Sequence, residues 1–294
     1  MVSSSWSFIR NITYSILTIP LIQVISVINF KTYEKKIKHR FIDGESRAHG
    51  GEIDSYNAKT WWSHRTVDVL TLAESKFARC DIHSVLSEDG NRVVHDWIFL
   101  EERDAVNVAV FTIEGKFIGF EQKKYAIPGE TLSPVGGFVD EGEAPWDAAR
   151  REVLEELGLG SRKTMQMMTA ASTNENQNKI ELKALESLPA GKVVIDQHGL
   201  AIGEVPDEEK DWVFLGRYRT AANRGGGWIF SYLLKDAVPI LPNGGTEQFK
   251  GMGDDESQVI HMLSLSDVEQ MVIKGRFQEV KWAATIALSL LHLK

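Results

Sequence analysis

The chain has 294 residues, 43% hydrophobic and 25% charged, the composition of an ordinary globular protein and not of a disordered, collagen-like or disulfide-stapled one. A formal charge of −8 at pH 7 argues against general nucleic-acid binding, which depends on a basic face that displaces phosphate counterions. Any anionic ligand therefore needs a local cationic cluster or a metal ion, and the lone Cys80 excludes an intrachain disulfide and a cysteine-based zinc site while fitting a reducing compartment.

Between Arg10 and Lys31 the chain carries no charge, over roughly the length of a helix that crosses a bilayer. Asn11, Thr13, Ser15, Thr18, Gln23, Ser26 and Asn29 dilute the segment, and Pro20 interrupts it, although membrane helices tolerate proline. No A-x-A cleavage site follows, and Arg10 alone is few arginines for a mitochondrial presequence. Three readings stand for residues 1–30: a membrane anchor through residues 11–30, a removed targeting segment that implies an organellar location, or a soluble or surface-lying stretch. As an anchor, with Lys31, Lys35, Lys36, Lys38 and Arg40 after it and only Arg10 before it, it places the downstream domain on the cytosolic side.

Residues 31–65 are polar, lack a sustained hydrophobic period and read as a linker ending near Trp61 and Trp62. The folded domain is expected over 66–294. Its first half is rich in short β-branched and aromatic runs, VDVLTLA, FARCDIHSVL, VVHDWIFLE, AVNVAVFTI and KFIGFEQ, separated by EDG and EGK turns. A helix follows over about Pro145 to Leu157, then an insertion-like region over 161–211. Strands at WVFLGRYR, WIFSYLL and QVIHMLSL and helices near 266–273 and 278–291 complete the chain. Strands with a few interspersed helices predict a layered α/β domain with a mixed sheet.

Chemistry concentrates in Gly137 to Leu159, GFVDEGEAPWDAARREVLEELGL. At about 100° per residue, Glu155 and Glu156 stand about 60° to one side and about 40° to the other side of Glu152, so three carboxylates share one helix face. Trp146, Ala149, Val153 and Leu157 occupy a neighbouring arc that is free to bury. Pro145 suits the first helical turn and Gly158 the position that ends it. An acidic helix face is usually only a solvated surface. Here Glu152 and Glu156 are four apart with no lysine beside them, a like-charge arrangement that costs a helix a few tenths of a kcal/mol and that a divalent cation would reverse. Hard oxygen ligands suit Mg²⁺ or Mn²⁺, which bridge to substrate phosphates.

The same segment resembles, position for position, the 23-residue box of the Nudix hydrolases: Gly137, Glu143, then Arg151-Glu152-Val153-x-Glu155-Glu156-x-Gly158-Leu159. Chance would produce it on the order of once in ten million such chains. The resemblance implies a Nudix α/β/α sandwich, preceded here by the hydrophobic N-terminal segment, whose loop, helix and loop hold metal through Glu152, Glu155 and Glu156. It further implies that Arg151 orients the glutamates through Glu143, that the Gly136 carbonyl is a further ligand, and that the substrate is a nucleoside diphosphate linked to another group.

Outside the box the chain resembles the ADP-ribose pyrophosphatases in three places. FEQKKYAIPGETLSPVGG puts Lys124 where that family has a phosphate-contacting arginine, a replacement that keeps charge but loses the planar fork. FLGRYRTAANRGGGWIFSYLL puts Arg224 and Gly225 to Gly227 near the substrate, with a plain hairpin turn as the competing reading. GDDESQVIHMLSLSDVEQMVIKGRFQEVKWAATIALSLL resembles the acidic loop, strand and terminal helices of that family, which makes Glu256 the candidate base with Asp254 and Asp255 as alternates. The resemblance implies hydrolysis of ADP-ribose to AMP and ribose 5-phosphate, and a homodimer. Other nucleoside-diphosphate sugars or dinucleotides are the rival substrates, and a catalytically inactive nucleotide-binding module is the rival class. The chain departs from the family in lacking a proline between Pro145 and Pro189. Trp61, Trp62 and Trp228 could stack on a base, although tryptophans more often pack in cores. HExxH, GxSxG and P-loop motifs are absent.

Overall fold

Strand β4 (Ala105–Thr112), AVNVAVFT, is apolar on both faces, the signature of a strand covered on both sides, and the domain is built around it. The computed structural model describes residues 63–171, 191, 193–197, 200–240 and 258–294. The expected anchor, most of the linker with Trp61 and Trp62, much of the 161–211 insertion, and Asp254, Asp255 and Glu256 lie outside the described residues.

After a single 3₁₀ turn at Ser63–Arg65 come β1 (Thr66–Glu74), β2 (Ala78–Leu86) and β3 (Val93–Glu102). Then follow β4, β5 (Phe117–Lys124), β6 (Ile127–Ser133), β7 (Val135–Phe138), α1 (Pro145–Leu157), β8 (Leu159–Gly160) and α2 (Arg162–Ala171). Beyond these lie β9 (Val194–Ile195), β10 (Ala201–Ile202), β11 (Trp212–Ala221), β12 (Gly225–Pro239), β13 (Gln258–Leu263), α3 (Leu265–Ile273) and α4 (Val280–Leu293). The main sheet runs β1-β2-β3-β12-β4-β5-β13, with β11 and β8 on β12, β6 on β5 and β7 on β4. It is mixed, because β12 runs parallel to β3 and β4 while its pairing with β11 is antiparallel. Strands β6, β7 and β8, the pair β9 and β10, and helix α2 are additions to the elements expected from the sequence.

Alternation along β4 divides the core in two. Val106, Val108 and Val110 join Trp146, Ala149, Val153 and Leu157 of α1 on one face. Ala109 and Phe111 join Val268 of α3 and Trp282, Ile286 and Leu290 of α4 on the other. Trp282, Ile286 and Leu290 recur every four residues, one stripe of a helix. The result is the expected α/β/α sandwich. A reciprocal capping box between Ser264 and Asp267 starts α3.

Register sets where the chemistry falls. Phe138 of β7 pairs with Ala105, and Ile229 of β12 pairs with the same Ala105. β5 runs antiparallel to β4, with Ile118 opposite Val110, and its last residue, Lys124, pairs with Ile127 of β6. The turn after β7 and the start of β12 are thereby gathered at one end of the sheet, while β5 leaves β4 beyond Ile118 and pairs onward with β6 and β13.

Candidate functional site

Helix α1 begins without a side-chain cap, with Pro145 at its first position, and ends at Gly158 in the left-handed conformation at φ 64°, its N–H donating to the Leu154 carbonyl. These are the roles the two residue types take for physical reasons: proline has no N–H to leave unsatisfied, and glycine has no Cβ to strain at positive φ. The apolar arc is buried, with Trp146, Val153 and Leu157 all at 3% exposure or less. Glu152, Glu155 and Glu156 stand on the adjoining arc, where Glu155 is exposed and the other two are half-buried.

The glutamates are organised by Arg151. Its Nε and Nη2 donate to the two carboxylate oxygens of Glu143 at 2.9 and 3.0 Å, and its Nη1 donates to Glu152 at 2.7 Å and to Glu155 at 3.2 Å. Nη2 also donates to the Phe138 carbonyl at 2.9 Å, which ties the end of β7 to the helix. Glu143 closes the intervening turn by accepting from the Asp140 N–H at 3.0 Å. Arg151 thus offsets part of the like-charge repulsion at Glu152 and Glu155, an arginine in the role a lysine would have had. Glycine at 137 has a steric reason: a Cβ there would overlap the Glu152 carboxylate. Gly136 pairs with Asn107 across β4 and β7, and a Cβ on it would come within 2.7 Å of the Asn107 side-chain oxygen and the Val106 carbonyl.

Burial raises the Glu152 carboxyl above its usual range, opposed by Arg151 and reinforced by the charges of Glu155 and Glu143. Burial also works against the Arg151 charge, yet its bonds with Glu143 and Glu152 outweigh that and hold the guanidinium above its ordinary value. A divalent cation fits this donor set in kind: the groups are hard oxygens on one helix face, already collected around one positive charge. Among the described residues no three carboxylate, imidazole or thiol groups yet converge as a complete metal cage.

Arg224 is exposed in the turn between β11 and β12, where its N–H donates to Ala221 and its carbonyl accepts from Leu100. Gly225, at φ 85°, lies against β3, and a Cβ would overlap the Leu100 carbonyl and meet the Phe99 ring. The local chemistry of this glycine run is close backbone packing, in line with the hairpin reading. Lys124 ends β5, opposite Ile127 of β6. β13 begins opposite Gln122 at Gln258, and Glu256 is outside the described residues. Sequence reasoning missed Arg103, which donates to Asp140 at 2.8 Å and to the Val139 carbonyl at 3.2 Å while its guanidinium stands 4.9 Å from the Phe138 ring centre. It also missed Arg217 and Arg219, both 4.6 Å from the Trp228 ring centre. The alternating R-Y-R on a strand was the available signal for the second pair. Nothing local marked the first.

A helix with an arginine-braced glutamate face, entered through a Gly-Gly strand end, defines the class of this domain. The family described as NUDIX domain matches residues 101–201, and the chain carries a Nudix domain over that segment. An RNA pyrophosphohydrolase of Bartonella quintana (strain Toulouse) is 46% identical over 70 residues, 22% of this chain and 40% of that protein, so the likeness spans about two-fifths of that relative's length. A crystal structure of an ADP compounds hydrolase superposes with a TM-score of 0.49 at 16% identity, covering 81% of this chain and 96% of the other.

Proposed function

We propose that the chain is a metal-dependent pyrophosphohydrolase that cuts the phosphoanhydride of a nucleoside diphosphate derivative, with ADP-ribose, giving AMP and ribose 5-phosphate, as the favoured substrate. The observation that carries the reading is the bonding of Arg151 to Glu143, Glu152, Glu155 and the Phe138 carbonyl, which pre-organises a metal-ligand face and leaves Glu155 exposed. Glu152, Glu155, Glu156 and the Gly136 carbonyl would hold Mg²⁺ or Mn²⁺. The ion would neutralise charge developing on the pyrophosphate oxygens and acidify the attacking water. Lys124 and Arg224 would supply positive charge for the pyrophosphate in an otherwise acidic protein, and Glu256 would take the proton from water.

A second reading, removal of pyrophosphate from an RNA 5′ end, is favoured by the 46% identity to the Bartonella protein and opposed by the net charge of −8. The test is kcat/KM for ADP-ribose, ADP-glucose, GDP-mannose, NADH and a 5′-triphosphorylated RNA under one Mg²⁺ condition. ADP-ribose is expected to lead. A tenfold or larger preference for another compound removes the ADP-ribose assignment, and metal-dependent binding of all of them without turnover identifies a binding module instead.

For residues 11–30 we propose an anchor that leaves the hydrolase on the cytosolic face, supported by the uncharged span and its basic C-terminal flank. The full-length chain is expected to stay in the pellet on alkaline carbonate extraction. Its release unprocessed into the supernatant overturns the anchor.

A further inference from the structure

The turn between β7 and α1, which carries the Phe138 carbonyl to Arg151, is itself held from behind by two residues, Arg103 and Asp104. Arg103 grips Val139 and Asp140 as described above, and the Asp104 carbonyl accepts from the Val139 N–H at 2.9 Å. On its other side this dipeptide meets the start of β12. A Cβ at Gly227 would overlap the Arg103 carbonyl, and the Asp104 carboxylate accepts from the Trp228 N–H at 2.8 Å. Trp228 in turn carries the guanidinium groups of Arg217 and Arg219.

We infer that Asp104 is a positioning residue: its carboxylate fastens the start of β12 to the dipeptide that braces the turn after β7, and thereby fixes where Arg151 and the glutamates of α1 stand. The chain of contacts is continuous, from Trp228 through Asp104 to Val139, and from Phe138 through Arg151 to Glu143, Glu152 and Glu155. A carboxylate is a costly way to satisfy one backbone N–H in a partly buried place, since a neutral acceptor would do the same without desolvating a charge. What the charge adds is attraction to the arginines stacked on Trp228, so that one group holds both the backbone and the side-chain layer of the hairpin.

The charged groups around Asp104 are Arg217 and Arg219 of β11, Arg103 beside it, and Asp140 across the turn, already held by Arg103. Arg219 also faces Glu101 and Glu102 of β3. Burial pushes the Asp104 carboxyl up to about 6, against the pull of the Trp228 N–H and of Arg219 and Arg217. The sign follows: the carboxylate that accepts most strongly from Trp228 is present above that pH and is lost as pH falls through it.

The inference rests on the hydrolase reading for its consequence in turnover, so its test does not use turnover. Amide exchange is measured by NMR on the full-length, metal-free protein between pH 5 and 8, corrected for intrinsic rates, together with Mn²⁺ affinity by electron paramagnetic resonance at pH 8. Asp104→Ala is expected to speed exchange at both Trp228 and Val139 at least about tenfold and to weaken Mn²⁺ binding at least about fivefold. Asp104→Asn keeps an oxygen acceptor in the same shape, and remains informative if the alanine variant folds poorly. It is expected to retain most of the Trp228 protection at every pH, whereas the wild type loses protection through about pH 6. Val139 exchange or Mn²⁺ affinity unchanged in Asp104→Ala overturns the proposal, and so does a wild-type pH step persisting in Asp104→Asn. A wild-type protein that binds Mn²⁺ but hydrolyses nothing would remove the hydrolase reading and leave these measurements to decide the role of Asp104.

Discussion

Gly137→Ala is expected to lower turnover at least about a hundredfold while shifting the melting temperature by only a few degrees, roughly the effect of 1 kcal/mol or less in a domain of this size. The added Cβ would overlap the carboxylate of Glu152. That carboxylate is the far end of a flexible side chain, so the conflict is relieved by rotating Glu152 and the backbone of β7 need not move. Rotation, however, removes the 2.7 Å bond from Arg151 to Glu152 and takes an oxygen donor away from the face that would receive the metal. The fold therefore survives and the chemistry does not. Steady-state kinetics at saturating Mg²⁺ and a thermal melt on the same preparation check both halves. Wild-type turnover would show that Glu152 is not needed where it stands, and collapse of the melting temperature would show that β7 yields instead of the side chain.

Glu155→Gln and Glu156→Gln are each expected to cost at least about a hundredfold in kcat, because an amide oxygen is a weaker ligand and leaves the charge on the metal and phosphate less well compensated. Glu155 makes the cleaner case. It is exposed, and its contact with Arg151, at 3.2 Å, is the longest that this guanidinium makes with a carboxylate, so the structure loses little when its charge is removed. Exposed ion pairs of this kind contribute at most about 1 kcal/mol. Removing one of three carboxylates also eases their repulsion, so stability should hold or rise slightly. Glu141→Gln, also exposed but in the preceding turn, serves as the charge-matched control and should keep full activity. Retention of wild-type kcat by Glu155→Gln would mean that the metal is held by other groups.

What the sequence determined by itself lies in α1 and the strands around it. The spacing of Glu152, Glu155 and Glu156, the apolar arc through Trp146, Val153 and Leu157, Pro145 at the start and Gly158 at the end all depend on interactions within one or two helical turns, and local periodicity encodes such interactions directly. The β-branched run of β4 likewise announced a strand, and the structure covers it on both faces. Only the tertiary structure decided how the glutamates are held. Arg151 could have pointed to solvent, and it turns inward because the end of β7 and the turn after it deliver the Phe138 carbonyl and Glu143 to the same place. The local sequence of the glycines at 225 to 227 fitted either a substrate-side loop or a hairpin turn, and it could not show the close packing that the structure has there: β12 crosses from β3 to β4, with the Leu100 carbonyl against Gly225 and the Arg103 carbonyl against Gly227. Asp104 gave no local signal, because its partners are Trp228, 124 residues away, and Val139. Helix faces follow from neighbours in sequence, whereas a brace between strands depends on a register that no single stretch of chain contains.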